Sequence, residues 1–222
     1  MTANLDFDIP MPFALIAFFA LSIERLLYSY CFIFTDHFKQ NIDQKKIPGI
    51  TKLSEDRCYW KCMQRLGMYI KVFQFGVVLY DLLVLDLDNV LSNITGGMME
   101  TTDKQHQLAI GMLLIFIGQV LNYTTFQALG AKGVYYGYEF GYPVDRVTCF
   151  PYNLPINDPQ YWGVVLCVFG IYMAVGASSF MVPVMELFWY GMSMKVFENE
   201  RGIRWVKTLT GFEKKQVTSK AA

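Results

Sequence analysis

The stretch that most constrains the fold is residues 108–129, a run of 22 residues without a charged side chain. At 1.5 Å per residue, a helix of this length matches the roughly 30 Å hydrocarbon core of a bilayer. The whole chain is 54% apolar and only 17% charged, against roughly 25% charged residues in soluble domains. The sequence therefore predicts an α-helical membrane protein.

Three more apolar stretches accompany this one, at residues 11–34, 66–87 and 161–197. The first two are each long enough for one crossing. The last is too long for one crossing and contains a Gly/Ala/Ser tract followed by Pro183, which favours a break and two paired helices. We therefore predict an all-α, polytopic fold with three spans and a C-terminal helical hairpin. The predicted units are a single membrane domain over residues 1–210 and a polar tail over residues 211–222.

Basic residues are distributed unevenly between the connecting segments. Residues 35–65 hold seven Lys or Arg, the tail after residue 197 holds six, and residues 88–107 hold only Lys104. The positive-inside rule then places residues 35–65, residues 130–160 and the C-terminus on the inner side of the membrane.

Two kinds of partner are excluded by composition. The 19 basic and 19 acidic residues balance, so no basic field is available for nucleic acid. Cys58 and Cys62 lie one helical turn apart but have no second Cys or His pair. No metal site is therefore predicted.

Residues 130–163, here called the aromatic segment, combine many Gly and Pro residues with many aromatic residues. Such a segment is predicted to fold back on the membrane surface or into the mouth of a cavity, because irregular backbone at that depth needs polar partners. Its glycines at 130, 133, 137 and 141 permit close approach to a ligand. Tight packing between helices is the alternative explanation for them.

The order of residues in this segment is distinctive. It runs Gly130-x-x-Gly133-x-Tyr-x-Gly137-x-x-Phe140-Gly141, then Arg146-Val147-Thr148, Phe150-Pro151-Tyr152-Asn153 and Asn157-x-Pro159-x-Tyr161-Trp162-Gly163. This order resembles the phospholipid N-methyltransferase family, which acts on phosphatidylethanolamine or phosphatidyl-N-methylethanolamine. The resemblance is strongest over residues 128–163.

The resemblance implies S-adenosylmethionine as the cofactor. The cofactor-binding candidates are Gly118, Gly130, Gly133, Gly137, Glu198 and Glu200. Three positions depart from the family's pattern. The family's Gly-x-Gly motif corresponds to Phe116-Ile117-Gly118 in this chain, and its Glu-Glu pair corresponds to Glu198-Asn199. The family's acidic position corresponds to Tyr138, which Glu139 follows.

The remaining candidates concern catalysis and substrate binding. Glu186 lies in an apolar run where burying a carboxylate is energetically unfavourable. Glu186 and Glu139 are the catalytic candidates. Pairing with Lys71 or Arg25 is the alternative role for Glu186. The candidates for substrate binding are Arg146 for a lipid phosphate and Tyr136, Tyr161 and Trp162 for a methylated ammonium, although an interfacial aromatic belt or a basic anchor would explain them equally.

The leading hypothesis is an enzyme that methylates the amine headgroup of a phospholipid, in the endoplasmic reticulum or the mitochondrial inner membrane. The alternative is a non-catalytic, lipid-binding subunit of a larger membrane complex, since the three departures all fall near the cofactor. A transporter or channel ranks last, because the sequence has no inverted repeat.

Overall fold

The computed structural model describes residues 11–45, 47, 49–95 and 102–210. All regular elements in these ranges are helical, which confirms the predicted all-α class. The helices are α1 (Met11–Ile33), α2 (Thr35–Gln44), α3 (Thr51–Glu55), α4 (Tyr59–Tyr80), α5 (Leu87–Thr95), α6 (Thr102–Val134), α7 (Pro159–Val175), α8 (Met181–Met192) and α9 (Glu200–Leu209). Two π-helical turns, Asp81–Leu85 and Ser193–Phe197, extend α4 and α8.

Within the described residues, three helices are long and apolar enough to cross a membrane: Met11–Ile33, Tyr59–Leu85 and Thr102–Val134. The second begins seven residues before the apolar stretch, because its first turns bury Cys62 and Met63 while the charged Lys61 faces outward. The third is also longer than the uncharged stretch, at both ends. Hydropathy located these spans but not their ends, which packing and backbone hydrogen bonds determine.

The C-terminal hairpin is formed by α7 and α8. Gly176 ends α7 in the left-handed conformation, with φ of 66°, as is common at helix C-termini. The turn is held to the end of α4 because Asp86 accepts hydrogen bonds from the Ser178 amide and hydroxyl, at 2.8 and 2.6 Å. Tyr161 and Tyr190, near the start of α7 and the end of α8, have ring centroids 5.0 Å apart. The two helices are therefore antiparallel.

Helices α6 and α7 pack closely through glycines. A Cβ added to Gly118 would lie 2.5 Å from the Gly163 carbonyl oxygen, and one added to Gly111 would lie 2.5 Å from the Ala174 nitrogen. Atoms do not approach this closely, so only glycine fits at these positions. These contacts are the small-residue packing typical of membrane helices.

Helix α1 contacts both α4 and α8. Near its start, Phe13 packs against Tyr80, and near its end Tyr28 lies against the Gly67 position of α4. The predicted loop at residues 35–65 forms α2 and α3, whose apolar side chains pack on the aromatic segment, as Phe38 does on Phe140. The end of α1, the start of α4, the end of α6 and the start of α7 therefore meet at one end of the bundle.

The predicted polar tail, residues 211–222, lies outside the described residues. The single membrane domain over residues 1–210 stays a prediction.

Candidate functional site

A cavity of about 580 Å³ lies at the end of the bundle where these helices meet. It is within the size range of small-molecule sites. Residues of α1, α4, α6, α7 and α8 line it. The segments between or after the helices add Tyr135, Tyr136, Tyr152, Asp158 and Glu198. The cavity thus lies among the ends of membrane helices, where a site would be open to the interface.

Glu198 follows the π-helical turn after α8. Its Oε1 accepts hydrogen bonds from the hydroxyl groups of Tyr161, at 2.6 Å, and Tyr136, at 2.9 Å. Its Oε2 accepts no hydrogen bond from the residues that the structure describes. Two tyrosines therefore orient this carboxylate and leave one oxygen available to a ligand.

A second carboxyl in the cavity belongs to Asp158, directly before α7. Burial, and then the negative charge of Glu198, raise the pKa of Asp158 to about 6. The two carboxyl groups make this wall of the cavity anionic at neutral pH. A cation bound between them would lower the pKa of Asp158, because it favours the ionised form.

The backbone is strained at two residues that line this wall. Tyr136 has φ of 56° and Asp158 has φ of 49°, and such left-handed conformations are uncommon for residues other than glycine. Aspartate tolerates this conformation, whereas a bulky tyrosine rarely adopts it. Strain of this kind concentrates at functional sites.

Another part of the cavity lining, here called the cationic wall, carries charged side chains from α1 and α4. Arg25 Nη2 lies 2.9 Å from Glu24 Oε1, and Lys71 Nζ lies 2.7 Å from Glu24 Oε2. Lys71 also donates to the Tyr190 hydroxyl at 3.2 Å. Glu24 thus has two cationic neighbours, and the carboxyl of Glu186, which does not line the cavity, also lies within electrostatic range of both cations.

The guanidinium of Arg25 is surrounded by aromatic rings. Its Cζ lies 4.7, 4.8 and 4.3 Å from the ring centroids of Tyr28, Tyr161 and Tyr190, within cation–π range. Tyr161, predicted to hold a ligand's ammonium on its ring, therefore has a cation of the protein itself on that ring. Its hydroxyl, as described above, bonds to Glu198.

The structure brings four of the candidate residues together. Gly133, Tyr136, Tyr161 and Glu198 all line the cavity. Two of them belong to the cofactor-binding prediction and two to the substrate-binding prediction. Whether each binds those groups stays a prediction.

The other glycine candidates do not line this cavity. Gly118 lies in the α6–α7 contact, and a Cβ on Gly137 would lie 2.6 Å from the Lys132 carbonyl oxygen. Gly130 has φ of 63° where α6 is kinked, and it lines a separate cavity of about 240 Å³. Helix packing, a local turn and a kink are thus the visible structural roles of these three glycines.

The remaining candidates also lie elsewhere. Arg146 and Glu200 are exposed, and Trp162 lies partly exposed at the start of α7. Glu186 is buried within α8, and Glu139 is half-buried, with its pKa raised by burial. None of these five is among the residues that line the cavity.

Sequence reasoning missed Asp158 and the meeting of Glu24, Arg25 and Lys71. Charged residues inside apolar stretches mark functional sites in membrane proteins, and this signal was present in the sequence. Their partners were not predictable, because the positions lie on different helices. For Asp158, the Asp-Pro pair marked the start of α7 but not its left-handed backbone.

Two of the altered positions do not fill the cavity. Phe116 is 66% exposed and Tyr138 is 72% exposed, so both side chains point away from the bundle. At the third, Asn199 caps α9 by accepting a hydrogen bond from the Arg201 amide at 3.0 Å. The departures therefore leave the space beside Glu198 open.

The fold and the cavity define an integral membrane protein of helical type with a polar site among its helix ends. Residues 106–201 match the model of the phospholipid methyltransferase family. This part of the chain, which includes the aromatic segment, α7, α8 and Glu198, is therefore similar to that family, as the residue order predicted.

Curated relatives agree over shorter stretches. A phosphatidyl-N-methylethanolamine N-methyltransferase of Arabidopsis thaliana is 45% identical over 53 residues, 24% of this chain and 32% of the relative. One of Emericella nidulans is 34% identical over 91 residues, 39% of this chain and 45% of the relative. The human phosphatidylethanolamine N-methyltransferase is 39% identical over 66 residues, 29% and 33% of the two chains.

The chain thus spans from about a third to just under half the length of these relatives. No solved structure matches it.

Proposed function

We propose that this protein transfers a methyl group from S-adenosylmethionine to the amine headgroup of a phospholipid, phosphatidylethanolamine or one of its methylated forms. The observation that carries the proposal is the cavity in which Tyr136 and Tyr161 hold Glu198, with all three residues inside the family match. Its position at the ends of the helices suits a lipid whose headgroup lies at the membrane surface.

The residues of the cavity fit the cofactor. The free Oε2 of Glu198 and the carboxyl of Asp158 are acceptors for the ammonium and ribose hydroxyl groups of S-adenosylmethionine. A volume of about 580 Å³ lies within the range that accommodates small-molecule ligands. When bound, the cofactor supplies an electrophilic methyl group on a sulfonium.

The protein has two further tasks: aligning donor and acceptor, and leaving the amine without its proton. Asp158, with its pKa near 6, is ionised at neutral pH and lies in the cavity. We therefore assign to it the acceptance of that proton. Glu186 and Glu139, the candidates from sequence, do not line the cavity.

The test is methyl transfer by the purified protein. We expect label from S-adenosylmethionine in phosphatidylethanolamine or its mono- or dimethylated forms. Glu198→Gln should abolish most of this transfer and weaken the binding of S-adenosylhomocysteine. The control is Glu200→Gln, because Glu200 is exposed two residues away and its substitution should leave both unchanged. No transfer to any of these lipids, with no cofactor binding, would overturn the proposal.

The alternative function is a non-catalytic, lipid-binding subunit. The capping role of Asn199 in place of a second acidic residue favours it. This alternative predicts that partner proteins purify with the chain in stoichiometric amounts in mild detergent, and that the isolated chain transfers no methyl group.

Fractionation of cells would show whether the protein resides in the endoplasmic reticulum or the mitochondrial inner membrane, the two membranes we propose.

A further inference from the structure

The cationic wall of the cavity has a feature that its own contacts do not explain. Arg25 is 2% exposed, yet its Nε and Nη1 have no hydrogen-bond partner in the described part of the chain. Leaving buried, charged donors unpaired is costly. A ligand that supplies acceptors at this wall would remove that cost.

Lys71 offers a second cationic group to the same ligand. Its side chain is 42% exposed, although its ammonium contacts both Glu24 and Tyr190. Glu24 is shared between Arg25 and Lys71, while Glu186, the other carboxyl within electrostatic range of both cations, does not line the cavity. Arg65 lines the same cavity and adds a third positive charge.

The side chain of Tyr161 contacts both charged parts of the cavity. The ring of Tyr161 lies against Arg25, with 4.8 Å between Cζ and the ring centroid, while its hydroxyl donates to Glu198. Tyr161 therefore prevents Arg25 and Glu198 from closing into an ion pair. The cavity keeps opposite charges apart, as a zwitterionic ligand requires.

We propose that Arg25 and Lys71 form an oxyanion subsite in this cavity. The subsite takes the anionic end of a zwitterionic ligand whose cationic end lies at Glu198 and Asp158. The inference rests on the proposed function, which offers two sources of such an anion: the phosphodiester of the lipid headgroup and the α-carboxylate of the methyl donor. Both are oxyanions that a guanidinium and an ammonium bind well.

The test uses the full chain in phosphatidylcholine nanodiscs and soluble probes measured by calorimetry. Glycerophosphoethanolamine carries the phosphodiester and ammonium, while ethanolamine carries the ammonium alone. S-Adenosylhomocysteine carries the carboxylate, and its decarboxylated analogue does not. The variants are Lys71→Gln and the conservative Arg25→Lys, which keeps a charge beside Glu24. The control is Lys61→Gln, an exposed lysine on the same helix and outside the cavity.

We expect Lys71→Gln to weaken binding of one anionic probe by about tenfold or more, as for the loss of a charge-assisted hydrogen bond. Ethanolamine and the decarboxylated analogue should bind as to the wild type. A loss confined to glycerophosphoethanolamine identifies the lipid phosphate, and one confined to S-adenosylhomocysteine identifies the donor carboxylate. Arg25→Lys should weaken the same probe, because one ammonium replaces the planar fork of donors.

Two results would overturn the subsite. The first is that the wild type binds neither anionic probe. The second is that Lys71→Gln and Arg25→Lys each bind both anionic probes with the same affinity as the wild type. Failure of the proposed function looks different. If no lipid is methylated but glycerophosphoethanolamine binds in a Lys71-dependent way, the enzyme proposal fails and the subsite stands.

Discussion

The hydroxyl of Tyr161 and Oε1 of Glu198 lie 2.6 Å apart, which ties the start of α7 to the segment that follows α8. Tyr136 donates to the same oxygen, so the residues that directly follow α6 are joined to the pair. Three separate parts of the chain thereby fix the orientation of one carboxylate.

Tyr161→Phe removes the shorter of these hydrogen bonds and keeps the ring beside Arg25. We expect S-adenosylhomocysteine to bind about tenfold more weakly, because a hydrogen bond to a charged group contributes roughly 1.5–3 kcal/mol. Binding by the purified protein is the measurement. Tyr138→Phe, at a residue that is 72% exposed, is the control. Unchanged affinity in Tyr161→Phe would mean that Glu198 does not depend on this bond.

Asp158→Asn should stabilise the protein above about pH 6. Its pKa is raised from 3.8 to about 6 in the folded state, so ionisation costs stability at neutral pH, and that cost disappears as the pH falls from 6 towards 4. Asparagine also tolerates the left-handed backbone. We expect a gain on the order of 1–2 kcal/mol at pH 7.5 and a much smaller one at pH 4, close to the unfolded-state pKa, from unfolding midpoints in detergent. An equal gain at both pH values would contradict the assignment.

Gly118→Ala should destabilise the ligand-free protein. Its Cβ would lie 2.5 Å from the Gly163 carbonyl oxygen, so α6 and α7 must separate, at a cost of about 1–3 kcal/mol. The matched control is Gly76→Ala, because no atom lies within 4 Å of that position and alanine favours a helix. Thermal unfolding of both variants gives the comparison. A neutral Gly118→Ala would leave cofactor contact as the better explanation of this glycine.

Glu24→Gln should be among the most damaging single substitutions in α1. It leaves Arg25 and Lys71 without the carboxylate that lies 2.9 and 2.7 Å from them, and breaking a buried ion pair costs about 3–5 kcal/mol. Asp36→Asn is the control. Asp36 pairs with Lys39 at 3.7 Å with its side chain 84% exposed, and such pairs contribute little. Yield of folded protein in detergent is the measurement, and similar yields for both variants would contradict the prediction.

The fold was largely predictable because membrane spans have a strong hydropathy signal. The uncharged run at residues 108–129 located α6, and Pro183 with the small residues before it indicated the hairpin. The helices at residues 35–55 were not predicted, because their polar composition resembles that of a loop. Their stability comes from packing on the aromatic segment, as for Phe38 on Phe140, which is a tertiary effect.

The candidate site was predictable only where a local pattern carried it. Glu198 came from the resemblance, and Tyr136 and Tyr161 came from the concentration of aromatic rings in the aromatic segment; the structure places the three residues together. Arg25 and Lys71 lie 46 positions apart in the sequence, and no periodicity links them. The sequence also could not predict that Arg146 is exposed, because a basic residue among aromatic residues is compatible with either a ligand contact or a surface anchor.

The glycine contacts between α6 and α7 fix how far one helix can slide along the other. Moving α6 by one turn would press larger side chains onto the α7 backbone at Gly163 and Gly170, so only one register is open to the pair. The end of α6 leads to Tyr136 and the start of α7 follows Asp158. These glycines thus act as a spacer that sets the width of the cavity mouth, and substitutions there should change that width without replacing any residue that lines the cavity.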